Sequence, residues 1–292
     1  MSEKTRQSVA LSLAAASLVL LYWPVFTGLV RDWANDDNYS HGFVILPFAA
    51  YFAWERRHEL AAIDGVPRAS GLGIALLGLA LLLIGRLGAD LFMTRISLLI
   101  VLTGGLAFVW GWNSLRVLLF PLTFLLLMIP LPTIVFNQIA FPLQLFASQV
   151  GEAALTGWGI PVLREGNVMV LANTTLEVAE ACSGIRSLVS LITLGIVYSY
   201  FTDRRNWVRV VVTLSTIPIA IAANGLRVAG TGIAAHYYGP EAATGFIHEF
   251  SGWVVFVVAS ALLVLVLTVV RTLAPEHRQA PLPIPQPVES PS

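Results

Sequence analysis

What most constrains this chain is the recurrence of long apolar runs that carry almost no charge. A membrane-spanning helix needs roughly 20 predominantly apolar residues, and helices are favoured there because they satisfy their own backbone polar groups. Eight stretches meet or approach that requirement: Val9–Val30, Gly42–Trp54, Gly71–Gly85, Ile96–Trp112, Leu115–Leu131, Ile185–Tyr200, Trp207–Arg227 and Gly252–Val270. The second and third are short, so tilt or flanking residues must make up their length. Composition agrees, with 57% hydrophobic residues, 12% charged residues and a mean hydropathy of +0.77. A soluble domain carries about twice that charge, so a soluble domain, a disordered chain and a nucleic-acid binder all fit poorly. Lys+Arg and Asp+Glu both total 17, and the balance selects no partner. The expected fold is an all-α polytopic membrane protein of about eight transmembrane helices, with one domain over residues 1–274 and no internal repeat.

Between the spans, Asn113-Ser114 reads as a tight turn from the fourth to the fifth. The segment Thr133–Thr156 is amphipathic and broken by Pro142, which suits an interfacial helix rather than a ninth span. Basic residues set direction, because cytoplasmic loops carry an excess of them. With the N-terminus inside, the inner segments hold 11 of the 17 Lys and Arg, including the Arg56-Arg57 and Arg204-Arg205 pairs. Both termini are therefore expected in the cytoplasm. The first span has no good small-residue cleavage site and reads as a retained anchor. Residues 275–292 hold six prolines and read as a disordered cytoplasmic tail. The outer side then receives residues 31–41, 86–95, 132–184 and 228–251. Within the third, Ile160–Leu163, Arg164–Asn167 and Val168–Leu171 read as strand, turn and strand, making a small extracytoplasmic β-hairpin. Thr174–Val178 can add a further strand.

Residues with chemical potential gather on that outer side. Cys182 precedes the sixth span by one or two residues, where a helix N-terminus favours thiolate. Arg186 follows one turn later and adds positive charge, whereas Glu177 and Glu180 oppose it unless paired. The plain alternative is that Cys182 is a small buried hydrophobe. Arg227 is the twenty-first residue from Trp207, about 31 Å along a helix, which puts it level with Cys182. It either snorkels to lipid phosphates or faces the bundle beside Asn224, one turn below. Pro218 is expected to kink this span. Among the histidines on this side, His248 directly precedes the last span and His41 is its competitor, with His236 less constrained. Cysteine with histidine supplies a nucleophile and a proton shuttle, and arginine a fixed cation for a developing oxyanion. The sequence has no GxxxxGK[ST], HExxH or CxxC motif, and no cofactor or metal is expected.

The stretch Glu180-Ala181-Cys182-Ser183-Gly184-Ile185-Arg186 resembles the signature of the exosortase/archaeosortase family. Asn224-Gly225-Leu226-Arg227-Val228 and His248-Glu249-Phe250-Ser251-Gly252 resemble its second and third motifs. Asn38-Tyr39-Ser40-His41-Gly42 is similar to an N-terminal motif of the bacterial exosortases, and Met128-Ile129-Pro130-Leu131-Pro132 is similar too. The resemblance implies a multi-spanning cysteine transpeptidase of the bacterial inner membrane, with Cys182, Arg227 and His248 as its catalytic residues. It implies substrates that are secreted proteins carrying a C-terminal Pro-Glu-Pro motif, one transmembrane helix and a basic tail. Glu177, Arg164, Arg186, Asn224 and His41 are the candidates for binding them. Two other readings stay open from the residues. One is a transporter that binds an anion at Arg227, where Pro218 and Gly225 interrupt the helix; the other is an intramembrane serine protease using Ser183. An acyltransferase with a lipid on Cys182 is a third.

Overall fold

The computed structural model describes residues 2–63, 66, 68–178, 184–239, 241 and 246–275. Among them six stretches are long and apolar enough to cross a membrane: Val9–Asn35, Ala69–Leu87, Leu91–Met128, Ile185–Thr202, Asn206–Tyr238 and Phe250–Leu273. The corresponding helices are α1 (Glu3–Asn35), α4 (Ala69–Leu87), α5 (Leu91–Phe124), α7 (Ile185–Thr202), α8 (Asn206–Tyr238) and α9 (Phe246–Leu273). Between α1 and α4 lie α2 (Gly42–Glu55), a shorter apolar helix, and α3 (Arg57–Ala61). A 3-10 turn, Leu125–Met128, ends α5 and precedes α6 (Thr133–Gly157).

The helix α5 is two antiparallel arms. Gly111 breaks the helical path with φ 79° and ψ 176°. Ile96 and Leu99 of the first arm line one groove with Leu122 and Leu126 of the second, which a straight helix cannot do. Counting the two arms and α2 separately gives about eight spans, as expected. The reversal falls at Gly111 rather than Asn113-Ser114, because a residue with positive φ favours glycine. A Cβ at Gly111 would also stand 2.4 Å from the Val66 carbonyl oxygen.

Small residues decide how closely α4 packs on the first arm. Cβ atoms built on Gly71, Gly78 and Gly85 would lie 2.3 Å, 2.9 Å and 2.9 Å from the backbone nitrogens of Phe108, Val101 and Thr94. The two backbones are nearly in contact, the usual way membrane helices gain packing where lipid removes the hydrophobic drive. α1 is pinned to this pair by the Arg95–Asp32 ion pair and by Tyr22 and Ser97 hydroxyls 3.0 Å apart. The Trp33 indole donates to the Met128 carbonyl at 2.9 Å, tying α1 to the far end of α5.

The expected hairpin is present, with its turn shorter than expected. Strands β1 (Val162–Glu165), β2 (Val168–Leu171) and β3 (Thr175–Glu177) form an antiparallel sheet in the order β1-β2-β3. Arg164 and Glu165 belong to β1 and pair with Met169 and Val168. Only Gly166 and Asn167 turn, and Gly166 has the positive φ (66°) that the first residue of a type II′ turn takes. The sheet packs with α6 and the C-terminal half of α8 around Leu155, Met169, Val228 and Ala235.

Two expectations about helices are corrected. α6 runs through Pro142 as one helix. α8 runs unbroken through Pro218 and Gly225 and continues to Tyr238, well past the end expected at Arg227. Its 33 residues span about 50 Å, against a hydrocarbon core of roughly 30 Å. α8 packs on α6 both before and after Arg227: a Cβ on Gly225 would meet Val150, and one on Gly232 would meet Leu155, both at 2.9 Å. The opposite end of the bundle holds Arg56, Arg205, Arg209 and Arg271, grouped on Tyr200 and Asp203.

Candidate functional site

The site is best built outward from two glycines. Gly184 caps α7 in the left-handed region, φ 79°. A Cβ there would fall 2.7 Å, 2.8 Å and 2.9 Å from Cγ, Cβ and Nδ2 of Asn224. The start of α7 therefore rests directly on α8 at a residue that is only 4% exposed. One turn further along α8, the half-buried Arg227 reaches the second glycine. A Cβ on Gly252 of α9 would meet its Nη2 at 3.1 Å and its Cζ at 3.2 Å. The guanidinium thus lies against α9, as a bundle-facing arginine would. Position 248 is one turn before Gly252 in the same helix. Cys182, Ser183, Glu180 and the side chain of His248 lie outside the described residues.

The other candidates are spread around this centre. Arg186, in the first turn of α7, pairs with Asp37 at 3.1 Å. Both side chains are substantially exposed, so the pair contributes little stability but fixes a direction. It joins α7 to the loop between α1 and α2. His41, at the end of that loop, is 9% exposed, and its Nε2 lies 3.1 Å from the Leu127 carbonyl. Burial pushes its pKa below the usual imidazole value, partly offset by the carbonyls of Leu127 and Asn38. Asn224, His41 and Arg186 all lie at the end of the bundle that carries the sheet.

Arg164 is already engaged: it donates to Glu152 of α6 at 2.7 Å and to the Gly166 carbonyl at 3.0 Å. Its charge is largely spent within the sheet–α6 unit. Glu177 is exposed on β3, opposite Val168. Asp37 and Glu152 were not among the residues singled out from sequence. Asp37 had a local signal, as one of two adjacent acids just before Asn38; Glu152 had none, because its partner arrives through tertiary packing. Among the described residues, no three His, Cys, Asp or Glu side chains gather closely enough to hold a metal ion.

The arrangement thus brings the start of α7, the Asn224–Arg227 turn and the first turns of α9 into contact at one end of a membrane bundle. A family model described as transmembrane exosortase matches residues 33–265, a span that contains all three segments. This chain belongs to the transmembrane exosortase family. Exosortases are membrane-embedded sorting enzymes acting on secreted proteins, and the apolar helices here are those of a multi-pass member. No curated protein and no solved structure matches the chain. The exosortase assignment favours a sorting enzyme, and α8 runs on as a helix past Pro218, Gly225 and Arg227, where the transporter reading placed its break.

Proposed function

We propose that this exosortase is a cysteine transpeptidase that cleaves the C-terminal sorting signal of secreted proteins, of the Pro-Glu-Pro type, and passes them to an acceptor. The observation that carries the reading is the pair of glycine contacts, Gly184 on Asn224 and Gly252 on Arg227. Cys182 is two residues before Gly184, so covalent geometry alone keeps their Cα atoms within about 7 Å. His248 is one turn before the glycine that Arg227 covers. Three groups suited to acyl transfer thus belong to segments that touch one another.

In this mechanism the Cys182 thiolate attacks the scissile carbonyl carbon, and Arg227 stabilises the oxyanion that forms. His248 protonates the departing amine as the C–N bond breaks, leaving a thioester on Cys182. An acceptor nucleophile gives its proton to His248 and displaces the thiolate; water in that role gives plain proteolysis. Residues 1–274 act as one catalytic domain, with residues 275–292 as a tail. The arginine-rich end lies opposite the sheet, which supports both termini in the cytoplasm and the site at the outer face of the bacterial inner membrane. Cys182→Ala is expected to abolish processing of a secreted reporter with a C-terminal sorting segment, while membrane insertion stays intact. Undiminished processing by Cys182→Ala, with loss in Ser183→Ala, would transfer the role to the serine.

A further inference from the structure

An open cleft of about 470 Å³ lies at the arginine-rich end of the bundle, where α2 and the second arm of α5 meet α7 and α8. Arg56 follows the last residue of α2, Arg209 stands near the start of α8, and both line the cleft. Their guanidiniums rest on one ring, that of Tyr200, at 5.5 Å and 4.4 Å from its centroid. Backbone carbonyls hold them there. Arg56 Nη1 donates to Phe52 at 3.2 Å, while Arg209 Nε and Nη2 donate to Asp203 and Tyr200 at 2.7 Å and 3.0 Å. A carbonyl fixes an arginine without neutralising it. The nearby acids are engaged elsewhere: Asp203 pairs with Arg205 and Arg271, and Glu55 accepts the Tyr200 hydroxyl at 2.6 Å. Among the described residues neither Arg56 nor Arg209 forms an ion pair. Two ordered cations over one ring therefore keep their charge, and their mutual repulsion favours an anion set against both.

Away from the arginines the cleft is largely apolar, lined by Phe120, Ile196, Val210 and Leu214. Leu214 lies eight residues beyond Asn206 at the mouth, about 12 Å along α8. One leaflet contributes roughly 15 Å of hydrocarbon, so the cleft runs through most of a leaflet's depth. We propose that it binds one anionic phospholipid from the leaflet on the arginine-rich side. The phosphate sits against Arg56 and Arg209, and one acyl chain lies along Phe120, Ile196 and Leu214. Guanidinium matches phosphate because its planar N–H groups bond two oxygens at once, and basic pockets between membrane helices take such headgroups. The volume is about 15 times the roughly 30 Å³ share of a water, far more than a free phosphate fills. A basic protein tail meets the wrong sign here, and an acidic peptide arriving from water leaves the deep apolar part unfilled. The bound lipid bridges two parts of the bundle, which already touch through Phe52 and Phe120 against Tyr200 at 4.4 Å and 5.1 Å.

The lipid site requires none of the proposed catalytic residues, so it stands or falls apart from the cysteine mechanism. The test uses the full-length protein in detergent micelles, titrated with phosphatidylglycerol or with phosphatidylcholine of the same chains, and counts bound lipid by native mass spectrometry. One phosphatidylglycerol is expected to be retained about 10-fold more tightly than phosphatidylcholine. Arg56→Gln removes one cation and should weaken it about 10-fold. Leu214→Trp leaves both arginines in place and fills the apolar part of the cleft from a position that is 58% exposed. It too should weaken retention, whereas Leu83→Trp, on the exposed face of α4, should not. Equal retention of the two lipids, or phosphatidylglycerol binding that survives both Arg56→Gln and Leu214→Trp, would overturn the proposal. So would full displacement of the lipid by millimolar inorganic phosphate, which would reduce the cleft to a simple anion site.

Discussion

Gly252 offers a way to move Arg227 without unfolding the protein. The residue lies inside α9, where replacing glycine by alanine favours the helix by about 1 kcal/mol. The new Cβ would meet Nη2 of Arg227 at 3.1 Å and Cζ at 3.2 Å, closer than ordinary contact, so the guanidinium must yield by a few tenths of an ångström. Arg227 is a long side chain and can do so at little cost in stability. In the proposed mechanism its position over the reacting carbonyl is another matter, since misplacement by about 1 Å can lower a rate 100-fold. A shift of a few tenths then corresponds to about a 3- to 10-fold loss. Gly252→Ala is therefore expected to unfold at the same temperature as the parent or slightly above it, yet to process a reporter about 3- to 10-fold more slowly. Gly252→Val should be slower still, with the fall in kcat rather than KM, as for an interaction made in the transition state. Thermal unfolding followed by tryptophan fluorescence and gel-based processing kinetics measure the two halves. Full activity across the Ala and Val variants would remove Arg227 from the chemistry.

Three further outcomes follow from the same geometry. Gly184→Ala places a methyl group under 3.0 Å from Asn224 and forces a non-glycine residue to φ 79°, and is expected to cost about 2–4 kcal/mol from strain and overpacking together; if Asn224→Gly in the same chain restores none of it, the clash is not the cause. Asp32→Asn leaves Arg95, whose side chain is 6% exposed, without its counter-ion, and should destabilise by about 3 kcal/mol in a denaturation series, with an unchanged midpoint arguing against the clamp. His41 has a folded pKa below the 6.5 of the free ring, so the stability it contributes is complete above that value and is lost as the pH falls from there through the lowered folded pKa. His41→Gln should flatten this part of a plot of unfolding midpoint against pH, and an unaltered slope would assign the acid sensitivity elsewhere.

The architecture was readable because lipid imposes a length and an apolar composition that few other settings demand. The places where sequence reading missed are local contests that tertiary packing decides. Ser114 reads as a polar break, yet it is 2% exposed and its hydroxyl donates to the Trp110 carbonyl, so it satisfies itself without a turn. Gly111, three residues earlier, makes the reversal. Beyond Arg227, the run to Tyr238 is too rich in glycine, alanine and threonine to read as a strong helix; small residues there admit α6 and the sheet, and that packing sustains the helix. The heptad spacing of Gly71, Gly78 and Gly85 was visible in the chain, but its meaning depends on the partner arm. For the site, the motifs marked the segments, while the pairing of Arg164 with Glu152 and of Arg186 with Asp37 could come only from three dimensions.

Because α8 is gripped on both sides of Arg227, by α7 below and by α6 above, it behaves as an indexed shaft. Inserting a single residue between Asn224 and Arg227 would advance the guanidinium by about 1.5 Å and swing it by roughly 100°, away from α9. The same insertion after Tyr238 would leave its bearing untouched. Length variation in this helix is therefore tolerable only at its tips, and the phase of one arginine is set by the whole shaft rather than by the loop nearest to it.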